Sequence, residues 1–345
     1  MPSVKVPAIS VIMSVFNSDL FLRESVDSIL NQTFEDFEFI ITEDCSTDSS
    51  LSILEKYAEA DQRIILVKNE QNAGLTKNLN YMISIAKGKY IARMDADDIS
   101  LSRRLEVQYN YMESNSEIGV LGAGGSIFGS KRKAIILERP ETNEEIRAAF
   151  FFENLLIHSS VFIRKSVLDQ NSIKYNENFR IIQDFELWTR MTGITKFYIL
   201  PEIFVHYRVS ESNISTLTEK KNNYRESILK NIYSNYFLAG GFHFTEEQAD
   251  THVVMLHKRK IQNIATLEMI AAWLFYIKNQ NEELKFFDND YFDYMVSKHW
   301  FKSCTRSTSL GSGIVLKYFR SELRNKFNPG FLVLVRFILK CIIRY

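Results

Sequence analysis

The feature that most narrows the fold is an alternation early in the chain, where four short apolar runs are separated by amphipathic stretches. Ala8 to Phe16 is β-branched, mostly apolar and bounded by Pro7 and Asn17, as a strand buried on both faces should be. Phe37 to Thr42, Arg63 to Val67 and Tyr90 to Met94 repeat that texture. Between them Leu22, Val26, Ile29 and Leu30 recur at helical spacing, followed by Leu51, Leu54 and Ala58, then Leu79, Met82, Ile83 and Ala86 before Gly88. The predicted order is β-α-β-α-β-α-β. Connections this short require right-handed crossovers and a parallel sheet.

Two of these strands run out into carboxylates. The second ends in Glu43-Asp44 and the fourth in Asp95-Ala96-Asp97-Asp98. Open α/β sheets bind ligands at the carboxyl ends of their strands, so both acidic segments are expected along one crevice. Three carboxylates within four residues raise one another's pKa unless a cation joins them, and hard oxygen ligands suit Mg²⁺ or Mn²⁺. Nothing immediately after Asp98 neutralises them. An acidic residue after the second strand can hydrogen-bond a ribose or base. Each segment also has an ordinary reading, a solvated acidic turn at Asp95 to Asp98 and an Asx turn at Asp44.

Past the acidic run, a helix is expected from Leu101 and a fifth strand over Ile118 to Gly122. Gly124, Gly125 and Gly129 then break the repeat, with short strands near Ala134 to Leu137 and Ser160 to Ile163. Asp184 opens a helix containing Leu187, Trp188 and Met191, where the helix dipole favours a carboxylate whatever its task. Phe204 to Val209 reads as the last strand. From about Ser215 the texture changes to long helical stretches rich in Lys, Asn, Tyr and Phe.

With 345 residues the chain can bury a full core and carry an appendage. Its 42 basic and 42 acidic residues balance, which gives no support for nucleic-acid binding. The balance is uneven along the chain. From Ile314 to Tyr345 there are seven cations against Glu322 alone. Phe331 to Tyr345 is nearly all apolar except Arg336, Lys340 and Arg344 at steps of four, a pattern suited to a helix lying on a membrane surface or packed on the protein with a basic outer face. Three scattered cysteines, Cys45, Cys304 and Cys341, argue for a reducing compartment and against a disulfide framework. Neither a signal peptide nor a spanning helix is read. The expected place is therefore cytoplasmic, peripheral at the inner face of the plasma membrane.

Six motifs in order resemble the family 2 glycosyltransferases of the GT-A fold over about residues 8 to 213. They are Ser10 to Asn17, Ser28 to Phe34, Glu43 to Asp48, Asn72 to Leu75, Gly88 to Asp98, and Gln183 to Trp188. The resemblance implies a Rossmann-like mixed sheet with helices on both faces over 1–214, followed by a helical C-terminal region over 215–345. The nucleotide-sugar half would span about 1–98 and the acceptor half 99–214. By the same resemblance Asp44, with Glu43 beside it, contacts the nucleotide base, and Val15, Phe16 and Asn17 border the nucleotide. Asp95 and Asp97 would contact the ribose and the Mn²⁺ or Mg²⁺ ion, with Asp97 the more direct ligand. Asp184 would be the catalytic base, and His158, Glu186 and Trp188 would lie on the acceptor side.

Three positions depart from the family pattern. Cys45 stands where glycine is common, Gln183 where glutamate is common, and Ser210 where a metal-ligating histidine is frequent. His206 does not inherit that role. The implied activity is inverting, metal-dependent transfer from a nucleotide sugar, a UDP-hexose or UDP-N-acetylhexosamine, to a glycan or lipid-linked saccharide in surface-polysaccharide synthesis. A catalytically silent sugar-nucleotide-binding protein would carry the same binding residues. A receiver module and an Asp-x-Asp phosphatase fit less well, the latter because its motif usually follows the first strand. Donor sugar, linkage and self-association through the tail are left open.

Overall fold

The computed structural model describes residues 6–129, 135–136, 140–209, 222–257 and 259–344. Ser210 and the expected boundary at 214 lie outside them. The described residues fall into two compact units, the first within Met1–Asn143 and Leu155–Asn222, the second within Glu144–Asn154 and Asn223–Tyr345.

The first unit is a mixed sheet with helices on both faces. Its strands are β1 (Ile9–Val15), β2 (Phe37–Glu43), β3 (Ile64–Lys68), β4 (Tyr90–Arg93), β5 (Ile99–Ser100), β6 (Ile118–Phe128), β7 (Ile135–Ile136), β8 (Phe162–Arg164) and β9 (Lys196–Arg208). They lie in the order β3-β2-β1-β4-β8-β6-β9-β5, with β7 paired to β6. β1 pairs in parallel with both β2 and β4, as the crossover argument requires, whereas β8 is antiparallel to β4 and β6.

Period-2 burial explains why the first four strands read as continuous apolar runs. Ile9, Val11, Met13 and Val15 join Phe37, Phe39 and Ile41 in one core with Leu22, Val26 and Ile29 of α1 (Asp19–Leu30) and Leu54 of α2 (Ser50–Ala60). Ile12 and Ile40 point the other way and are equally buried, and α3 (Leu75–Ile85) packs against β1 and β2. Burying both faces makes alternation disappear.

The later half corrects several sequence expectations. The fifth strand continues through Gly124 and Gly125, read as breaks, and ends at Phe128, where Gly129 does break it with φ 86°. A Cβ on Gly124 would come within 2.7 Å of the carbonyl oxygens of Pro201 and Glu202, so that glycine lets β6 approach β9 where the register shifts. The last strand begins at Lys196 rather than Phe204, and the helix expected from Leu101 is α4 (Arg104–Ser114), preceded by β5. The remaining helices of this unit are α6 (Lys165–Gln170) and α7 (Gln183–Met191).

The second unit is helical. α5 (Asn143–Phe150) lies almost wholly within it and precedes α8 (Asn222–Ala239), α9 (Glu246–Leu256), α10 (Ile264–Leu284), α11 (Asn289–Arg306), α12 (Gly313–Arg320) and α13 (Phe331–Ile343). Its core is aromatic. Phe151 stacks on Phe237 at 4.3 Å and packs edge-on against Phe292, while Phe152 stacks on His299 at 4.7 Å. Thr245 and Gln248 close a capping box at the start of α9.

Candidate active site

The sheet register sets the carboxyl ends of β2, β1 and β4 side by side. Val15 pairs with Glu43, the Asp44 N–H donates to Val15 O at 2.8 Å, and the Met94 N–H donates to Ile12 O at 3.0 Å. The two acidic segments therefore emerge on one edge of the sheet with β1 between them.

At β2 the acids shape loops. Glu43 Oε1 accepts the Ser46 N–H at 2.7 Å. Asp44 accepts Asn69 Nδ2 at 2.7 Å and the backbone N–H groups of Ala73 and Gly74 at 2.8 and 2.9 Å. Asp44 thus holds the loop that opens α3. Asn17 binds the facing loop, accepting the Thr47 N–H at 2.8 Å and donating its own N–H to Ser46 Oγ at 3.0 Å. Val15 is buried and Phe16 is exposed beside it. Cys45 has φ 61°, the left-handed conformation that glycine adopts without strain, which accounts for the preference for glycine there and leaves this chain strained at that turn.

At β4 the counter-charge comes from before the acidic run. Arg93 is buried and forms an ion pair with Asp95, which also accepts Ser159 Oγ at 2.7 Å. Burial alone would push the Asp95 carboxyl up, but Arg93 and these hydrogen bonds hold it below the usual range. Among the described residues no ion pair is made to Asp97, on which Arg93 and Arg208 act less strongly than the adjacent Asp95. Burial and the adjacent Asp95 charge push its carboxyl up to about 6. Asp98 is fully buried and raised well above the ordinary range by burial and by Asp95 and Asp97. It accepts Ser159 Oγ and the Arg208 N–H, so its role in this edge is to tie β4 to β9.

Arg208 is a residue that sequence reasoning missed. Its Nε donates to Asp97 O at 2.7 Å, its guanidinium pairs with Glu24, and it lies over the rings of Phe21 and Phe128 at 4.1 and 4.4 Å. Its place at the end of a mostly apolar strand was the available signal. Arg104 is fully buried and donates to Arg93 O at 2.8 Å. His206 bonds Ser126 Oγ through Nδ1 at 2.6 Å.

Asp184 sits in the first turn of α7, directly after Ile182, whose φ of 59° is rare for a β-branched residue. Strain of that kind persists where surrounding structure over-determines it. Two side chains of α3 hold the segment that leads there. Thr76 donates to Phe179 O at 3.0 Å and Asn80 to Tyr175 O at 2.9 Å. Tyr175 links the clusters electrostatically: burial and then Arg93, Asp184 and Asp95 act on its hydroxyl, which is pushed above the ordinary tyrosine range. It shares a 2.8 Å hydrogen bond with His158 Nε2. Burial and Arg93 keep His158 well below the ordinary histidine range, hence neutral.

Trp188 is fully buried and sets its ring edge-on to His158 and Tyr175 at 6.2 and 6.4 Å. Glu186 accepts Arg190 Nε at 2.7 Å and Nη2 at 2.9 Å. Ser159 and Tyr175, which sequence reasoning also missed, carried no spacing or composition signal.

A sheet of this order with acids at the ends of β2 and β4 defines the GT-A class. Residues 10–172 match the family described as Glycosyl transferase family 2. An uncharacterized glycosyltransferase of Methanocaldococcus jannaschii, MJ1057, is 36% identical over 235 residues, 66% of this chain and 80% of that protein. The O-antigen biosynthesis glycosyltransferase WbnJ of Escherichia coli is 32% identical over 247 residues, 68% of this chain and 94% of that protein. The crystal structure of S. aureus TarS 1–349 in complex with UDP superposes with a TM-score of 0.56 at 18% identity, over 88% of this chain and 90% of that one, a likeness of fold. The chain belongs to glycosyl transferase family 2 and is a glycosyltransferase.

Proposed function

We propose that the protein moves a hexose or N-acetylhexosamine from a UDP-sugar, with inversion and with Mn²⁺ or Mg²⁺ bound, to a hydroxyl of a glycan or lipid-linked saccharide. The setting is surface-polysaccharide assembly at the inner face of the plasma membrane. The observation that carries this reading is the unequal treatment of the acids at the end of β4. Asp95 has a built-in cation, whereas Asp97 is left with excess negative charge around it and a carboxyl raised to about 6. That donor set fits a hard divalent ion, held by Asp97 with Asp95 beside it. Among the described residues no three His, Cys, Asp or Glu side chains gather as a complete cage. When bound, the ion supplies Lewis-acid stabilisation to the departing diphosphate.

The chain's own groups do the rest. Glu43, Asp44 and Asn17 fix the loops that border the base, with Val15 and Phe16 between them. Asp184 takes the proton from the acceptor hydroxyl as the new bond forms, opposite the leaving group, which inverts the anomeric centre. Neutral His158 and protonated Tyr175 stand between the donor-side and acceptor-side carboxylates without adding charge. The polysaccharide assignment draws support from the E. coli relative's O-antigen role.

The test is a screen of UDP-glucose, UDP-galactose, their N-acetyl forms and GDP-mannose for metal-dependent hydrolysis and transfer. Asp184→Asn is expected to lower kcat by about 10²–10⁴-fold with donor binding retained. Asp97→Ala should abolish the metal dependence of donor binding, and full transfer by Asp97→Ala would refute the metal role. Donor binding without turnover by the unaltered protein would leave a silent binder.

A further inference from the structure

The last helix, α13, has an apolar inside and an apolar outside. Phe337 and Cys341 are buried, Phe337 against Phe301 and Tyr318 at 5.6 and 5.7 Å, with Leu334 and Ile338 half-buried on the same stripe. A surface helix that buries one stripe is ordinarily polar on the other side. Here Leu332, Leu339, Ile342 and Ile343 are 79%, 55%, 62% and 68% exposed, and Phe331 at the helix start is 78% exposed. Arg336 and Lys340 follow one flank of this outer face rather than occupying its centre, and Arg344 stands just past the helix end. On α12, Ile314 and Tyr318 are buried while Leu316 and Phe319 are exposed, and Lys317 and Arg320 stand in its last turn. Single exposed leucines need no explanation, but such a run on two consecutive helices does.

We propose that this face docks on an anionic lipid bilayer, with α13 lying in the headgroup plane. Its 13 residues span only about 20 Å, short of the roughly 30 Å hydrocarbon core. No described helix is long and apolar enough to cross a membrane. An interfacial helix sinks its apolar face about 5–10 Å and leaves its basic flank among the headgroups, where long cationic stems can snorkel. Charge selects this occupant over a second copy of the chain. Seven cations stand against one acid over the last 32 positions; Lys317 and Lys326 are paired with Glu268 and Asp290, and the basic excess that is left would repel itself across a symmetric dimer, whereas anionic headgroups neutralise it. The surface stands on its own exposure and charge and does not rest on the transfer chemistry.

The test is co-sedimentation of the full chain with vesicles of phosphatidylcholine alone or mixed with phosphatidylglycerol. Binding is expected to the mixed vesicles, weakening as salt is raised. Replacing both Arg336 and Arg344 by Gln should weaken it about 25-fold, about fivefold for each basic side chain removed. Replacing Leu332, Leu339 and Ile343 together by Ser should abolish it. These side chains are exposed, so circular dichroism and donor hydrolysis in vesicle-free solution should be unchanged, which separates failure here from failure of the transfer reading. Equal binding to both vesicle types, or none to either, overturns the proposal. So does a dimer in sedimentation velocity that the three serines convert to monomer while vesicles go unbound.

Discussion

In the α/β unit Arg93, Arg104 and Asp98 are enclosed together at one edge of a sheet with His158 half-buried near them, whereas in the helical unit His252 and His299 are enclosed among phenylalanines. Both interiors hold titratable groups, and they are stabilised by opposite means. At the sheet edge each charge has directed partners: Arg93 pairs with Asp95, Arg104 donates to Arg93 O and Gln108 Oε1, and Asp98 accepts from Ser159 and Arg208. In the helical core neutrality does the work. Burial holds His252 down to about 3, and its Nδ1 accepts the Trp273 Nε1–H at 2.9 Å. Burying ions costs several kcal/mol even with partners, so fixed charge belongs where charge must be handled and neutral aromatics suffice for scaffolding. Left-handed backbone occurs in both units, at Ser172, Gly74 and Gly129 of the α/β unit among others. Asn17, Cys45 and Ile182 take left-handed conformations beside the acidic edge, while the helical unit places Gly241, Gly311 and Gly330 at such turns, alongside Lys285 and Arg344 at helix ends.

The largest expected effect is on the charge network. Arg93→Met leaves Asp95 without its cation and should destabilise the α/β unit by about 3–5 kcal/mol. Amide hydrogen exchange, read separately in β1 to β4 and in α8 to α11, checks this, and Asp95→Asn in the same chain should restore part of the loss. Equal loosening of both units would break the contrast.

Acidification should come next, measured in chelator. Burial lowers the folded pKa of His252 to about 3 and that of His299 well below the unfolded value near 6.5, so their contribution is present above that pH and is lost as pH falls below it. In the α/β unit His158 has the same sign, but Asp97 has the opposite one. Its folded pKa near 6 exceeds the ordinary 3.8, so its contribution is present below about 3.8 and lost as pH rises through about 6. Protection in the helical unit should therefore fall more steeply between pH 6.5 and 4 than protection at the sheet edge. A parallel loss would show that the carboxylates do not offset the histidine.

The smallest effect concerns strain. Cys45→Gly relieves a left-handed side-chain clash but restores the flexibility of glycine in the unfolded chain, for a net gain of about 0.5–1 kcal/mol. Urea denaturation checks it, and a loss of stability would mean that the Cys45 side chain contributes more than its backbone costs.

What the sequence by itself determined was everything carried by local period: the parallel β1 to β4 half, the acids at strand ends, the helix that opens at Gln183 and the long helices near the end. Those signals are legible because a strand buried on both faces and a helix buried on one leave different residue patterns. Tertiary structure decided what lies between distant positions. Glycines in β6 read as breaks locally, yet serve close strand approach. Arg93 precedes the acids it neutralises, and Arg208 and Ser159 reach them from more than sixty residues away. The sequence also left open whether α13 turns its cations or its aliphatic side chains outward. Only packing of Phe337 and Cys341 settled that, because a face is defined by what covers the opposite one.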